Sequence, residues 1–376
     1  MAKETLEGLI KERIASGGPM SFRDLMETAL YEPGLGYYTS EGTEIGREGD
    51  FYTSPHAHRV FGAMLGRQAE ECWEQMGRPG AFNILEFGAG MGWLCMDMLD
   101  HLKGRDIYES LRYTIIELNP VMRDRQRELL SSHEGIVTWA ESPSTLAPLK
   151  GLVLSNELID ALPVHLVEYG PGGWQEVHID LEGESFTETL LPLASEGLAS
   201  YLQEYAPSPP EGYRTEVNLD ARDWLAEVSG ILEEGFLLTI DYGYRASDYY
   251  DEERRRGTLL CYREHRTTED YRSDIGRQDI TAHVNFTDLH RFGERVGLRT
   301  LGFARQGVYL VSLGIDEVLV ELYGDTPDMG REALMVHNLI MPGTMGDTHK
   351  ALMQYRGPGS PELRGFRMKN EKEKLA

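Results

Sequence analysis

The chain has 376 residues, enough for one large α/β domain with insertions or for two domains, and enough to bury a sizeable core. Its 62 acidic and 37 basic side chains give a formal charge of −25, which repels DNA and RNA and either serves solubility alone or attracts a basic or arginine-bearing protein surface. Three cysteines without paired spacing, no HExxH pattern and no apolar run near the roughly 18 residues of a membrane span argue against a disulfide framework, a metal site and a transmembrane helix.

The first twenty residues mix acids and bases without a targeting pattern, so a cytoplasmic location is expected. Residues 4–15 have helical periodicity, and Ser21 with Asp24 three positions later predicts the N-cap of a helix through Leu30. A glycine- and tyrosine-rich loop, Tyr31 to Tyr52, follows; loops of this length inside a domain are disordered or functional. Ser54 and Pro55 then predict an N-cap and N1 proline for a helix carrying Phe61, Leu65, Ala69, Cys72, Trp73 and Met76.

From residue 82 strands and helices alternate, which predicts a parallel sheet. The first strand ends in Glu86-Phe87-Gly88-Ala89-Gly90-Met91-Gly92. Glycine at 88, 90 and 92 lets the backbone turn sharply and approach a ligand that a Cβ would repel. The dinucleotide fingerprint has its third glycine three positions after the second; here it comes two after, with Glu86 two residues ahead of the first. This spacing favours S-adenosylmethionine over NAD.

The second strand, Tyr113 to Glu117, ends in a carboxylate suited to ribose hydroxyls or, alternatively, to the N-terminus of the helix opened by Asn119-Pro120. After a third strand, Gly135 to Trp139, Trp139 and Glu141 are candidates for the adenine, with an ordinary surface role for Glu141 equally open. The fourth, Leu152 to Ser155, runs into Asn156-Glu157-Leu158-Ile159-Asp160-Ala161-Leu162-Pro163. Methyl transfer chiefly demands that acceptor and methyl meet. A guanidinium acceptor also needs carboxylates to grip its fork of donors and receive a proton. Glu157 and Asp160 suit that task beside Asn156, or they cap the next helix.

Segments 164–169, 174–179 and 186–191 alternate apolar with polar residues and predict an antiparallel insertion. The fifth strand is Phe236 to Asp241. Asp241-Tyr242-Gly243 and Asp279 to His283 are further candidates to face the acceptor; His283 is either a base or a structural histidine. A helix over 287–296 and strands over 300–304 and 308–313 are expected to finish the sheet as a hairpin. Helices follow residue 315, and 369–374 reads as a frayed tail. No GxSxG or catalytic-cysteine setting points to hydrolysis.

These segments together resemble the MidA-like family of class I S-adenosylmethionine-dependent methyltransferases, whose mitochondrial members are complex I assembly factors. The resemblance is carried by Phe22 to Tyr38, Gly49-Asp50-Phe51-Tyr52-Thr53-Ser54-Pro55, the glycine loop, Asn156-Glu157 to Pro163, Asp241-Tyr242-Gly243, Gly257 to Tyr262, Asp279 to Val284, and Met341 to Gly346. It implies an α/β, seven-stranded Rossmann-like methyltransferase sheet with an inserted substrate lobe, and cofactor contacts at Gly49, Asp50, Gly88, Gly90 and Glu117. It also implies a lid in the early loop and transfer to an arginine of a protein, as the family's mitochondrial enzymes do to a respiratory complex I subunit. A non-catalytic cofactor-binding assembly chaperone and a small-molecule methyltransferase are the alternatives.

The expected partition is 1–78 for the N-terminal helices and lid, 79–162 and 216–314 for the core, and 163–215 and 244–283 for the two insertions. Residues 315–376 form the C-terminal helical region. Ala89 stands where the family has proline, Met91-Gly92-Trp93 where it has arginine-glycine-threonine, and His56-Ala57-His58 where a glutamate is expected. These departures bear on the acceptor more than on the cofactor.

Overall fold

A computed structural model describes residues 5–40, 58–264 and 266–376. Its described residues form two compact units, one of 58–159, 224–243 and 286–376, the other of 5–40, 160–223 and 244–285.

The first unit is built on strands β1 (Phe82–Phe87), β2 (Leu111–Ile116), β3 (Val137–Ala140), β4 (Leu149–Asn156), β5 (Leu232–Tyr244), β6 (Arg299–Arg305) and β7 (His349–Arg356). They lie in the order β3-β2-β1-β4-β5-β7-β6, the continuous path of an eight-stranded sheet. β1 to β5 are parallel, whereas β7 runs antiparallel between β5 and β6. The order reverses between β1 and β4, the position at which open α/β sheets bind ligands beyond their strand ends. Ile84, Tyr113, Leu152 and Phe236 are buried with Phe61, Met98 and Leu99 in one apolar cluster.

Local chemistry sets these elements. The Asn119 side chain accepts from the Val121 and Met122 amides and Pro120 occupies the first turn, opening the helix Pro120–Leu129 as expected. The helix over Arg59–Gln75 is capped by His58, whose ring accepts from the Val60 amide at 3.1 Å. The proposed cap at Ser54 and Pro55 lies outside the described residues.

Three expectations at the C-terminal end are corrected. Residues 306–313 form a helix, Gln306–Leu313, not a strand; Tyr309, Leu310 and Leu313 are buried and Gly314 ends it at φ 98°. A short continuous apolar run fits either element, and the left-handed glycine after it is the helix signal. The seventh strand is instead His349–Arg356, inside the region expected to be only helical, so the unit extends beyond residue 314. Residues 369–374 are not frayed. Asn370 accepts from the Phe303 amide at 3.1 Å and donates to the Leu301 carbonyl at 2.9 Å, the Glu371 amide donates to Phe303, and Leu375 is fully buried.

In the second unit, helices Leu6–Gly17 and Phe22–Tyr31 share a buried cluster with Val164, Val177, Cys261, Tyr271 and Ile280. These two helices and both insertions therefore lie in one compact unit. Ser21 caps the second helix through the Asp24 amide as expected. Strands over 165–170, 173–182, 185–192 and 213–217 make the antiparallel insertion.

Candidate active site

β1 delivers the chain to a loop that only glycine fits. Gly88, Gly90 and Gly92 have φ of 67°, 52° and 90°, a left-handed region that costs other residues roughly 1–2 kcal/mol each. A Cβ on Gly88 would lie 3.0 Å from Leu158 Cδ1, so the loop closely approaches the segment after β4. Gly92 then caps the helix Trp93–Leu102 without a side-chain hydrogen bond, which leaves its first-turn amides to an anion, a carboxylate or water.

Glu86 is placed differently from the expectation. Its carboxylate is only 2% exposed and accepts from the Tyr113 hydroxyl at 2.7 Å, below the loop. Burial pushes its pKa up to about 7, against which the Tyr113 hydrogen bond acts. It is a support of the loop, with no face open to a ligand.

Beside the loop stands a residue that sequence reading missed. Gln126, fully buried, donates to the Gly90 carbonyl at 2.6 Å and to a Glu117 carboxylate oxygen at 3.1 Å, while its own oxygen accepts from the Trp139 indole at 2.9 Å. One amide thus ties together the glycine loop and the ends of β2 and β3. Glu117 also accepts from the Asn119 amide at 2.9 Å, and burial raises its pKa. The available signal was the spacing from Met122 to Gln126, one helical face that buries a polar group. Glu141 is exposed and pairs with Arg123 at 2.8 Å.

At the ends of β4, β5 and β7 a second group gathers. Glu157 holds φ +49°, an uncommon conformation for a non-glycine residue, and its amide donates to the Ile240 carbonyl at 2.9 Å. Its side chain is 10% exposed; one oxygen accepts from the Asn156 amide at 3.3 Å and stands 3.7 Å from His349 Nε2. Asp241, expected to face the acceptor, is fully buried and receives the Ile159 amide at 3.0 Å and the Tyr242 amide at 2.8 Å. It fixes the turn that carries Glu157.

The unit boundary passes between Ile159 and Asp160, so Glu157 and Asp160 belong to different compact bodies. Asp160 is buried, and its carbonyl accepts from the Ala282 amide at 2.9 Å. His283 donates its amide to Thr258 Oγ1 at 3.0 Å and packs 5.2 Å from the Tyr244 ring. It lines a cleft of about 630 Å³ in the second unit with Tyr244, Arg214, Arg254 and Tyr271. Gly49 and Asp50 lie outside the described residues.

A family model described as an S-adenosyl-L-methionine-dependent methyltransferase matches residues 64–304. The chain belongs to the MidA-like family of these methyltransferases. A superfamily member from Burkholderia thailandensis, solved with S-adenosyl-homocysteine bound, is 31% identical with a TM-score of 0.89, over 98% of this chain and 96% of that one. The mitochondrial protein arginine methyltransferase NDUFAF7 of Rattus norvegicus is 28% identical, covering 89% of this chain and 80% of the relative. Its homolog in Drosophila melanogaster is 26% identical over 93% and 84%. S-adenosylmethionine is therefore the cofactor of this MidA-like methyltransferase, and the left-handed glycines beside the half-buried Glu117 carboxylate are suited to it. Among the described residues no helix is long and apolar enough to cross a membrane, and no cluster of histidine, cysteine or carboxylate side chains is suited to a metal ion.

Proposed function

We propose that this methyltransferase modifies arginine guanidinium groups of a protein. The observation that carries the reading is Glu157, a nearly buried carboxylate held in a left-handed conformation at the strand ends, beside Asn156 and His349. A carboxylate beside a side-chain amide and an imidazole suits a planar, positively charged donor. The relatives named as protein arginine methyltransferases support the same substrate class. A subunit of respiratory complex I is the acceptor that family resemblance suggests.

Gly88, Gly90 and Gly92 would surround the cofactor's amino-acid portion, Glu117 would grip its ribose hydroxyls, and Trp139 would flank the adenine. When bound, the cofactor supplies an electrophilic methyl group on a sulfonium. Glu157 orients the guanidinium by accepting its N–H bonds, and Asp241 holds the turn that aims Glu157. Glu86 supports the loop from below. Asp160 and His283 remain candidates for the acceptor's surroundings, with no proton-transfer step assigned to them.

Cell extract incubated with the protein and deuteromethyl-labelled cofactor, followed by mass spectrometry of protein digests, tests the reading. Labelled methylarginine is the expected product. Label confined to lysine, to small molecules or to no product, with cofactor bound, would overturn the arginine assignment.

A further inference from the structure

His349 opens β7, which runs antiparallel, so it stands at the same end of the sheet as the last residues of β4 and β5. In register it pairs with Tyr242 of β5, while Ile240 of that strand pairs with Asn156 of β4. Three adjacent strands thus bring Asn156-Glu157, Tyr242 and His349 to one edge.

Thr348 Oγ1 stands 3.3 Å from the Thr344 carbonyl and 3.0 Å from His349 Nδ1, so the imidazole is held through Nδ1 and turns Nε2 toward Glu157. Nε2 is buried, has no hydrogen-bond partner among the described residues and stands 3.7 Å from Glu157 Oε1. Asn156 Oδ1 is likewise buried and unpartnered among them. The adjacent ammonium of Lys350 donates to the Asp347 and Thr348 carbonyls, both at 2.8 Å. The Tyr242 ring packs 5.4 Å from the imidazole. Nε2 and the Glu157 carboxylate face one another with no hydrogen bond between them, an arrangement that incoming N–H donors complete.

We propose that His349, facing Glu157, accepts the proton that an arginine guanidinium nitrogen releases when it is methylated. This rests on the arginine reading above. Glu157 holds one N–H of the guanidinium while another meets Nε2 of His349. The acceptor nitrogen uses its electron pair to bond the methyl carbon as the carbon–sulfur pair leaves with sulfur. Its proton passes to Nε2, and the N–H pair left behind restores the guanidinium conjugation. The methylated guanidinium keeps its single positive charge, and the imidazolium formed is stabilised by Glu157 at 3.7 Å.

Two measurements on the full chain separate this role from a structural one. In the first, protein saturated with S-adenosylhomocysteine is titrated with acetyl-arginine amide, with acetyl-lysine amide as control, and the histidine ring resonances are followed by NMR. Saturable displacement of the His349 signal by the arginine compound is expected, weakened about tenfold in Glu157→Gln. An unmoved His349 signal, or equal displacement by the lysine compound, would overturn the proposal.

In the second, labelled methylarginine formation in extract is compared for the wild type and His349→Ala, with and without added imidazole. A loss of about a hundredfold that imidazole partly restores is expected, with S-adenosylhomocysteine affinity within twofold of the wild type. A rate near the wild type, or a loss that imidazole leaves unchanged in a folded variant, would overturn the proton role while leaving arginine methylation standing. Conversely, absence of methylarginine from the wild type would remove the activity itself, and the NMR titration still judges guanidinium recognition at His349.

Discussion

The Gln126 side chain donates to the Gly90 carbonyl at 2.6 Å, fastening the helix after β2 to the loop after β1. With its bonds to Glu117 and Trp139, this amide uses both N–H groups and its oxygen on three parts of the candidate cofactor site. Gln126→Leu leaves a carbonyl, a carboxylate and an indole N–H without this partner. We expect S-adenosylhomocysteine affinity to fall about tenfold to a hundredfold and unfolding stability to fall by about 1–3 kcal/mol. Calorimetric titration and denaturant unfolding read the two effects separately.

Gly88→Ala tests the loop's backbone. At φ 67° an alanine is strained by roughly 1–2 kcal/mol. Its Cβ would also lie 3.0 Å from the end of the flexible Leu158 side chain, which can shift at small cost. A folded protein with cofactor affinity reduced about tenfold is expected in calorimetric titration, because the loop relaxes away from the geometry that the ligand needs.

Glu86 makes stability depend on pH. Its pKa rises from the ordinary 4.5 to about 7 on folding because burial favours the neutral carboxyl. The folded state therefore binds more protons than the unfolded state between these values. The destabilisation is absent below about 4.5, grows as pH rises and is complete above about 7. Glu86→Gln removes this dependence. Relative to the wild type it should gain about 1–3 kcal/mol between pH 5 and pH 8, read by denaturant unfolding at each pH. The order of the two stabilities diverging in the opposite sense would contradict the assignment.

The C-terminal segment supports β6. Removing residues 369–376 frees the Phe303 amide and the Leu301 carbonyl and deletes buried Leu375. A loss of about 2–4 kcal/mol is expected from the lost burial and hydrogen bonds, seen as a lower denaturant midpoint. A frayed tail would give no change.

Much of the core was legible because its signals are local. The glycine spacing at 88, 90 and 92, the Asn119-Pro120 cap and the short apolar strands each follow from nearby residues. What was not legible depends on distant partners. His349–Arg356 lacks any β-branched residue, and its place between β5 and β6 is fixed by their backbones. The run 306–313 was ambiguous for the same reason, since burial of Tyr309 and Leu310 is a tertiary fact. Among candidate site residues, Glu117 and Glu157 stand at strand ends as topology requires, whereas the carboxylates of Glu86 and Asp241 turn to internal hydrogen bonds with Tyr113 and Ile159. Strand ends are visible in a sequence; the direction of a side chain there is not. Gln126 was overlooked because a buried glutamine on a helix announces itself only through what it touches.

The most direct test of the account is Glu157→Gln, measured for both cofactor affinity and methylarginine formation in extract. The substitution keeps the size and turn of the side chain and removes its charge. The account predicts S-adenosylhomocysteine affinity within about twofold of the wild type and methylarginine formation reduced by about a hundredfold or more. Methylarginine formed at a rate near that of the wild type would contradict it.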